Sequence, residues 1–347
     1  MKILLNIGHP AQVHLFKNFI WNLEKRGHEC RITVIDKEVS LNLLDAYKFK
    51  YDVIGNSKFS TFSKALEMIK IEYILYNIAR NFKPDILVGG VGNVYIAHIG
   101  KLIGKPSIIF DDTEHSKIEH FLMDPFATSI CTPACYRLDL GRKQIRYRGN
   151  HELAYLHPNY FRPKTDVLRE IGLNENDTFI IMRFVSWNAI HDIGHRGLTL
   201  ENKRKAINQL EKYGRILITS EKPLEEEFEE YRINISPEKM HHLLYHAALL
   251  YGESATMASE CAVLGTHAIF CDYAGRGYTD EEERKYNLVY NFHNENSMGR
   301  DSLAKALELL NNPCLKEEGK QKGKKLITDN IDVTKFMIDI VEKYNII

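Results

Sequence analysis

At 347 residues the chain exceeds one ordinary doubly wound core and suits two, since single cores stop growing at roughly 250–300 residues. Its 44% hydrophobic and 27% charged content is that of a globular protein and excludes a disordered or fibrous one. The 46 basic residues balance 46 acidic ones, leaving no global field for polyanions, so no nucleic-acid partner and at most peripheral membrane contact are expected.

The opening apolar run, 3–7, is interrupted by Asn6 and Gly8 before a signal-peptide core would be complete, and it reads as a first strand. Further short apolar runs follow at 30–35, 51–54, 85–88, 107–110 and 129–132, with amphipathic segments between most of them. That alternation is the pattern of βα units on a parallel sheet. In the segment 68–82, Ile69, Tyr73, Tyr76 and Ile78 lie at helical spacing, which suits a sheet-packing face better than a membrane-leaning one. Pro158 and Pro163 break the periodicity in the stretch 156–164. The alternation then restarts with runs at 178–183, 215–219, 247–251 and 268–271, predicting a second parallel sheet. A last helix is predicted over 331–347, with Asp332 as N-cap ahead of Phe336, Ile340 and Val341. No run approaches the eighteen or so apolar residues of a transmembrane helix. Six cysteines, at 30, 131, 135, 261, 271 and 314, are scattered as free thiols are, which fits a reducing cytoplasm. Cys131 and Cys135 lack a second Cys/His pair at zinc spacing and read as structural.

Five segments carry candidate chemistry. In 8–34 a strand end gives way to a Gly8-His9-Pro10 turn, a helix and a second strand opened by Arg26-Gly27-His28. A small residue such as Gly8 lets a ligand approach the helix N-terminus, where unpaired N–H groups and the dipole favour negative charge. No G-x-G-x-x-G follows the strand, which argues against a nicotinamide enzyme. In FDDTEHS, Asp111, Asp112, Glu114 and His115 crowd a strand end, where neighbouring carboxylates shift one another toward general-base work and also suit a divalent metal. His151 and Glu152, just before the linker, form another candidate pair. In MRFVSWNAIHDIGHRG, Arg183 suits a phosphate, Trp187 a stacked base, and His191 or Asp192 a sugar hydroxyl; the plainer reading has Trp187 packing the domain boundary and the polar residues capping a helix near Thr199. The last and strongest segment is GESATMASECAVLG. A strand ends at Gly252, and the small and hydroxyl residues Ser254, Ala255 and Thr256 open a helix that carries Glu260. Such a start accepts a diphosphate, and a carboxylate one to two turns in accepts from ribose hydroxyls; spacing alone equally allows Ser254 as a plain N-cap and Glu260 as a solvated helix residue.

The GH turn with RGHE after it, together with GESATMASECAVLGTHAIF, resembles the paired motifs of glycosyltransferase-B enzymes, among them the family that adds N-acetylglucosamine to lipid-linked peptidoglycan precursors. The non-hydrolysing UDP-N-acetylglucosamine 2-epimerases share that architecture. FDDTEHS, IRYRGNHELAYLHP, RFVSWNAIHDIGHRG, ITSE and GESATMASECAVLG resemble, over nearly the whole chain, an archaeal and bacterial family built on a domain of unknown function, family 354. The resemblance implies an α/β chain of two Rossmann-like doubly wound domains with a cleft between them: 1–160 on the acceptor side, 161–330 on the donor side, and 331–347 packing back on the first. It implies that Glu260 binds a ribose, that Ser254, Ala255, Thr256 and Met257 lie under a diphosphate, and that His9 or His14 takes the place of the transferase loop histidine. The spacing from Gly8-His9 to Arg26-Gly27-His28 is a few residues longer than in the transferases, and His267 stands where they carry proline.

The expected activity is transfer of a sugar from a nucleotide-diphospho-sugar, UDP favoured, to a glycan, lipid or small-molecule acceptor. An epimerase of sugar nucleotides and a catalytically silent binding scaffold are the rivals. His14 or His9 is the expected base, with Asp112 or Glu114 as alternative, and Glu221 is expected to face the donor. No metal or other cofactor is expected, because the helix start with Arg183 or Arg276 can stabilise the departing diphosphate.

Overall fold

Twelve strands build two sheets in a computed structural model that describes residues 1–37, 39–56, 61–185, 197–220 and 224–344. The first sheet uses β1 (Lys2–Ile7), β2 (Glu29–Asp36), β3 (Tyr51–Asn56), β4 (Ile86–Gly89), β5 (Ser107–Phe110), β6 (Ser129–Pro133) and β7 (Gln144–Tyr147), in the order β3-β2-β1-β4-β5-β6-β7. Every neighbouring pair is parallel. Helices cover both faces of such a sheet, which is why β1, β4 and β5 read as near-continuous apolar runs: Ile3, Leu4, Leu5, Leu87, Val88, Ile108 and Ile109 are fully buried. The second sheet uses β8 (Phe179–Phe184), β9 (Arg215–Ser220), β10 (Leu249–Gly252), β11 (Ala268–Cys271) and β12 (Val289–Phe292), also all parallel, in the order β12-β11-β10-β8-β9.

The chain divides into two compact units, Met1–Tyr155 with Ile331–Ile347, and Leu156–Asn330. The helix Val333–Lys343 therefore belongs to the first unit. Its N-cap, Asp332, accepts from Lys335 N at 2.9 Å. Val333, Met337, Ile338 and Val341 are buried, and Thr334 Oγ1 donates to Ala154 O at 2.7 Å. Near the other end, Glu342 accepts from Arg26 at 2.8 Å and lies 3.1 Å from His28 Nε2.

Two strands, β7 and β12, escape the apolar-run reading. Both are edge strands, and QIRY and VYNF mix polar with apolar residues because one of their sides is not enclosed by a neighbour. The helix Thr61–Phe82 also corrects an expectation. Ile71, Leu75, Ala79 and Phe82 make its buried face, whereas Ile69 and Tyr73 are 61% and 69% exposed. Tyr76 and Ile78 flank the core. No helix among the described residues is long and apolar enough to cross a membrane.

His267 opens the turn into β11 and is buried against Tyr290, ring centroids 6.2 Å apart. Lys322 Nζ lies 3.2 Å from its Nε2, and an ammonium only donates, so the ring accepts there and is neutral. Burial, reinforced by Lys322, Lys305 and Lys320, depresses its pKa to about 3. A histidine kept neutral by the fold stabilises fully above its unfolded value near 6.5, and that contribution is lost as pH falls from there toward 3, on the order of 5 kcal/mol in all. His267→Gln is therefore expected to lose less melting temperature than the wild type between pH 7 and pH 4. Parallel acid losses in the two proteins would refute the assignment.

Candidate functional site

In open parallel sheets ligands bind beyond the strand C-termini, where the strand order reverses. In the first unit that point lies between β1 and β4, since the chain runs outward from β1 to β3 and then returns to β4 on the other side. Gln12 ties the two strand ends together: its Oε1 accepts from Gly8 N at 2.8 Å and its Nε2 donates to Val91 O at 3.0 Å. Gly90 makes room for it, because a Cβ there would stand 2.6 Å from the Gln12 side chain. The Gly89-Gly90 pair after an apolar run is a signal for this junction that the motifs singled out in the sequence did not include.

His9 is the N-cap of the helix Pro10–Lys25, and its Nδ1 accepts from Ala11 N at 3.2 Å. The neutral ring then carries its proton on Nε2, which makes that atom a donor. His14 lies a turn further in, buried, stacked on Tyr155 with centroids 5.4 Å apart and with its Nδ1 3.1 Å from Tyr47 Oη. The two candidate histidines thus differ in kind: His9 sits on the strand-end turn, and His14 is part of an aromatic packing cluster.

The FDDTEHS residues follow β5. Asp111 is 1% exposed and accepts from Thr113 N at 2.8 Å. Burial raises its pKa to about 7, with the nearby His120 opposing. His120 lies 3.7 Å from Asp111, 3.2 Å from Asp124 and 3.0 Å from Tyr136 Oη. Burial works against its charge, but the Asp124 hydrogen bond and the Asp111 carboxylate outweigh it and lift the ring to about 9. Asp112 accepts from Thr113 Oγ1 at 2.9 Å on one oxygen and holds His151 Nδ1 at 2.9 Å on the other. Glu114 is buried and accepts from Arg137 N at 3.1 Å, so it anchors the turn after β6. Sequence spacing could not couple Asp112 to His151, because β6 and β7 come between them in the chain.

In the second unit the order reverses between β8 and β10. Gly252, the last residue of β10, is opposite Arg183 on β8, and a Cβ on it would lie 2.1 Å from Arg183 O. Arg183 donates from Nη1 to Thr219 Oγ1 at 3.2 Å. Glu253, absent from the sequence candidates although it stands inside GESATMASECAVLG, is buried and accepts from Val185 N at 2.9 Å and Leu198 N at 2.7 Å. The helix Ala255–Leu264 begins at Ser254, whose hydroxyl accepts from Met257 N at 3.3 Å. Ser254 and Thr256 are partly exposed there, whereas Ala255 and Met257 are buried. Glu260 is also buried, its Oε1 2.9 Å from Nε2 of the buried His241, which corrects its reading as a solvated helix residue. Arg276 caps the helix Gly277–Tyr286 and donates to the buried Asp272 at 3.2 Å, just past β11. Of the remaining candidates, Trp187, His191, Asp192 and Glu221 lie outside the described residues.

A family profile described as "Protein of unknown function (DUF354)" matches residues 1–345. No protein of curated function matches the chain by sequence. Among solved structures, the UDP-N-acetylglucosamine 2-epimerase of Neisseria meningitidis bound to UDP-N-acetylglucosamine is similar over 99% of this chain and 100% of its own, with a TM-score of 0.70 at 12% identity. The Methanocaldococcus jannaschii enzyme of the same name, in complex with UDP-N-acetylglucosamine and UDP, gives 0.64 at 13% identity over 94% and 99%. The glycosyltransferase SsfS6 of Streptomyces sp. SF2575 gives 0.61 at 9% identity over 97% and 99%. At these identities the likeness carries the fold alone, and that fold is the glycosyltransferase-B type with two Rossmann-like units.

Proposed function

The chain belongs to the DUF354 family, and from that footing we propose that it is an enzyme of nucleotide-diphospho-sugars, a glycosyltransferase that takes a UDP-sugar as donor and a glycan or lipid-linked molecule as acceptor. The observation that carries this reading is the strand-to-helix junction of the second unit. Gly252 brings the backbone of β10 against Arg183, and the next helix opens with the partly exposed residues Ser254 and Thr256. A helix start of small residues is an anion site, and a diphosphate is the anion that the fold's relatives place on offer. Arg183 and Arg276 stand at the ends of β8 and just past β11, where a guanidinium can take up charge developing on the departing diphosphate, so the reading requires no metal.

Epimerisation of the bound sugar is the second reading. It is favoured by Asp111, whose carboxyl burial pushes up to about 7 at the end of β5, since inverting a carbon by proton exchange needs a group that both takes and gives a proton near neutrality. One assay separates them. The protein incubated with UDP-N-acetylglucosamine, with and without a panel of glycan and lipid-linked acceptors, is expected to release UDP only when an acceptor is present. UDP-N-acetylmannosamine formed without acceptor would replace the transferase by the epimerase, and tight binding without turnover in any arm would leave a nucleotide-sugar-binding scaffold.

A further inference from the structure

We infer that His151, oriented by Asp112, is the catalytic base of the first unit. The inference rests on the sugar-transfer reading above. His151 follows β7 across a backbone turn at Gly149, where φ is 134°, and Asp112 follows β5; strand order puts both at the same edge of the sheet with β6 between them. A carboxylate accepts hydrogen bonds and donates none. The 2.9 Å separation of Asp112 Oδ2 from His151 Nδ1 therefore places the hydrogen on Nδ1 and leaves the lone pair on Nε2 of the neutral ring. His151 is only 6% exposed, and among the described residues its Nε2 has no hydrogen-bond partner. Buried side-chain nitrogens are nearly always satisfied, so an oriented, buried and unpartnered acceptor is a candidate for chemistry. The orienting chain continues outward, since Thr113 Oγ1 donates to the other oxygen of Asp112 at 2.9 Å. A base held by a carboxylate that is itself held is the logic by which imidazoles are fixed in the reactive tautomer.

Three other histidines of the first unit are arranged differently. His9 accepts through Nδ1 and so presents a donor at Nε2. His14 is packed on Tyr155 and Tyr47. His120 is enclosed by Asp111, Asp124 and Tyr136. In the transfer step, His151 Nε2 takes the proton of the acceptor hydroxyl, and the freed oxygen lone pair forms the bond to the anomeric carbon. The bond from that carbon to the diphosphate oxygen breaks, its electron pair leaving with the nucleoside diphosphate. Asp112 stabilises the imidazolium until the proton passes to solvent.

The test combines turnover, binding and tautomer. His151→Asn is expected to lower kcat at least 100-fold, the range of a lost general base, while the affinity for UDP-N-acetylglucosamine measured by calorimetry stays within about twofold. Asp112→Asn is expected to lower kcat at least tenfold. In protein labelled with ¹⁵N-histidine, nuclear magnetic resonance should show His151 protonated on Nδ1 and bare on Nε2 in the wild type, and the Asp112→Asn variant should lose that fixed tautomer; the fall in kcat at unchanged affinity is what a merely structural role would not predict. Should His151→Asn fail to fold, His151→Gln and the wild-type tautomer carry the test. A wild type that turns over while His151→Asn keeps a third or more of its kcat, or a His151 protonated on Nε2, overturns the base assignment alone. A wild type that binds no nucleotide-sugar overturns the functional reading and this role with it.

Discussion

Gly252→Ala is expected to lower the melting temperature of the second unit by roughly 6–12 °C, the equivalent of about 3 kcal/mol. The added Cβ would stand 2.1 Å from Arg183 O and 2.8 Å from Arg183 N, and both are backbone atoms of a neighbouring strand that cannot turn aside. Relief requires β10 to part from β8 at the point where Glu253 fastens the following backbone to Val185 and Leu198. The substitution should therefore also erase UDP binding in whatever fraction stays folded. Gly8→Ala is the control in the first unit. Its Cβ would meet Gln12 Oε1 at 3.8 Å, an ordinary contact, so stability should stay within about half a kcal/mol. Thermal melts of both variants check the pair, and a Gly252→Ala protein that melts with the wild type would mean that the strands have more freedom than their register implies.

On the proposed nucleotide-sugar reading, with Glu260 accepting from the ribose hydroxyls, Glu260→Gln is expected to weaken UDP binding by about 1–3 kcal/mol, because a charge-assisted hydrogen bond is roughly twice as strong as a neutral one. The 2′-deoxy analogue lacks one of those hydroxyls and should lose less on the same substitution. His241 sharpens the experiment. It holds Glu260 Oε1 at 2.9 Å inside the protein, so a purely architectural role for the pair would lower the melting temperature and leave both affinities unchanged. Calorimetric titration of UDP and 2′-deoxy-UDP into parent and variant, alongside their melts, distinguishes the two roles.

The fold was legible where burial leaves its mark on single residues. Strands enclosed on both faces, such as 107–110, are apolar over most of their length, here Ile108, Ile109 and Phe110, and they stood out for that reason. Edge strands carry no such demand: QIRY of β7 and VYNF of β12 did not stand out, although the more apolar edge run of β9 did. The helix Thr61–Phe82 shows a finer limit: with Ile69, Ile71, Tyr73 and Leu75 all apolar, helical period alone supports more than one face, and only the sheet beneath selects Ile71 and Leu75. The candidate site was legible as motifs and not as partnerships. Ser254 capping Met257 is a local event three residues long and follows from sequence. The pairs Glu260 with His241 and Asp112 with His151 join residues from different βα units, and their chemistry depends on which strands the topology makes neighbours. His9 and His14 were indistinguishable as letters five positions apart. The cap hydrogen bond of one and the aromatic enclosure of the other tell them apart.

The return of the chain to the first unit through Val333–Lys343 has a bearing on biosynthesis. At ribosomal speeds of about 5–20 residues per second, the first unit waits roughly 10–35 s for that helix while Leu156–Asn330 is being made. During that wait Ala154 O lacks its Thr334 donor and Arg26 lacks Glu342, and the surface that will receive Val333, Met337 and Val341 is open to water. The second unit is continuous in the chain and has no such delay. The part of the protein translated first is thus completed last, and the nascent chain spends that interval with an apolar seam that chaperones can hold and that other nascent chains can stick to.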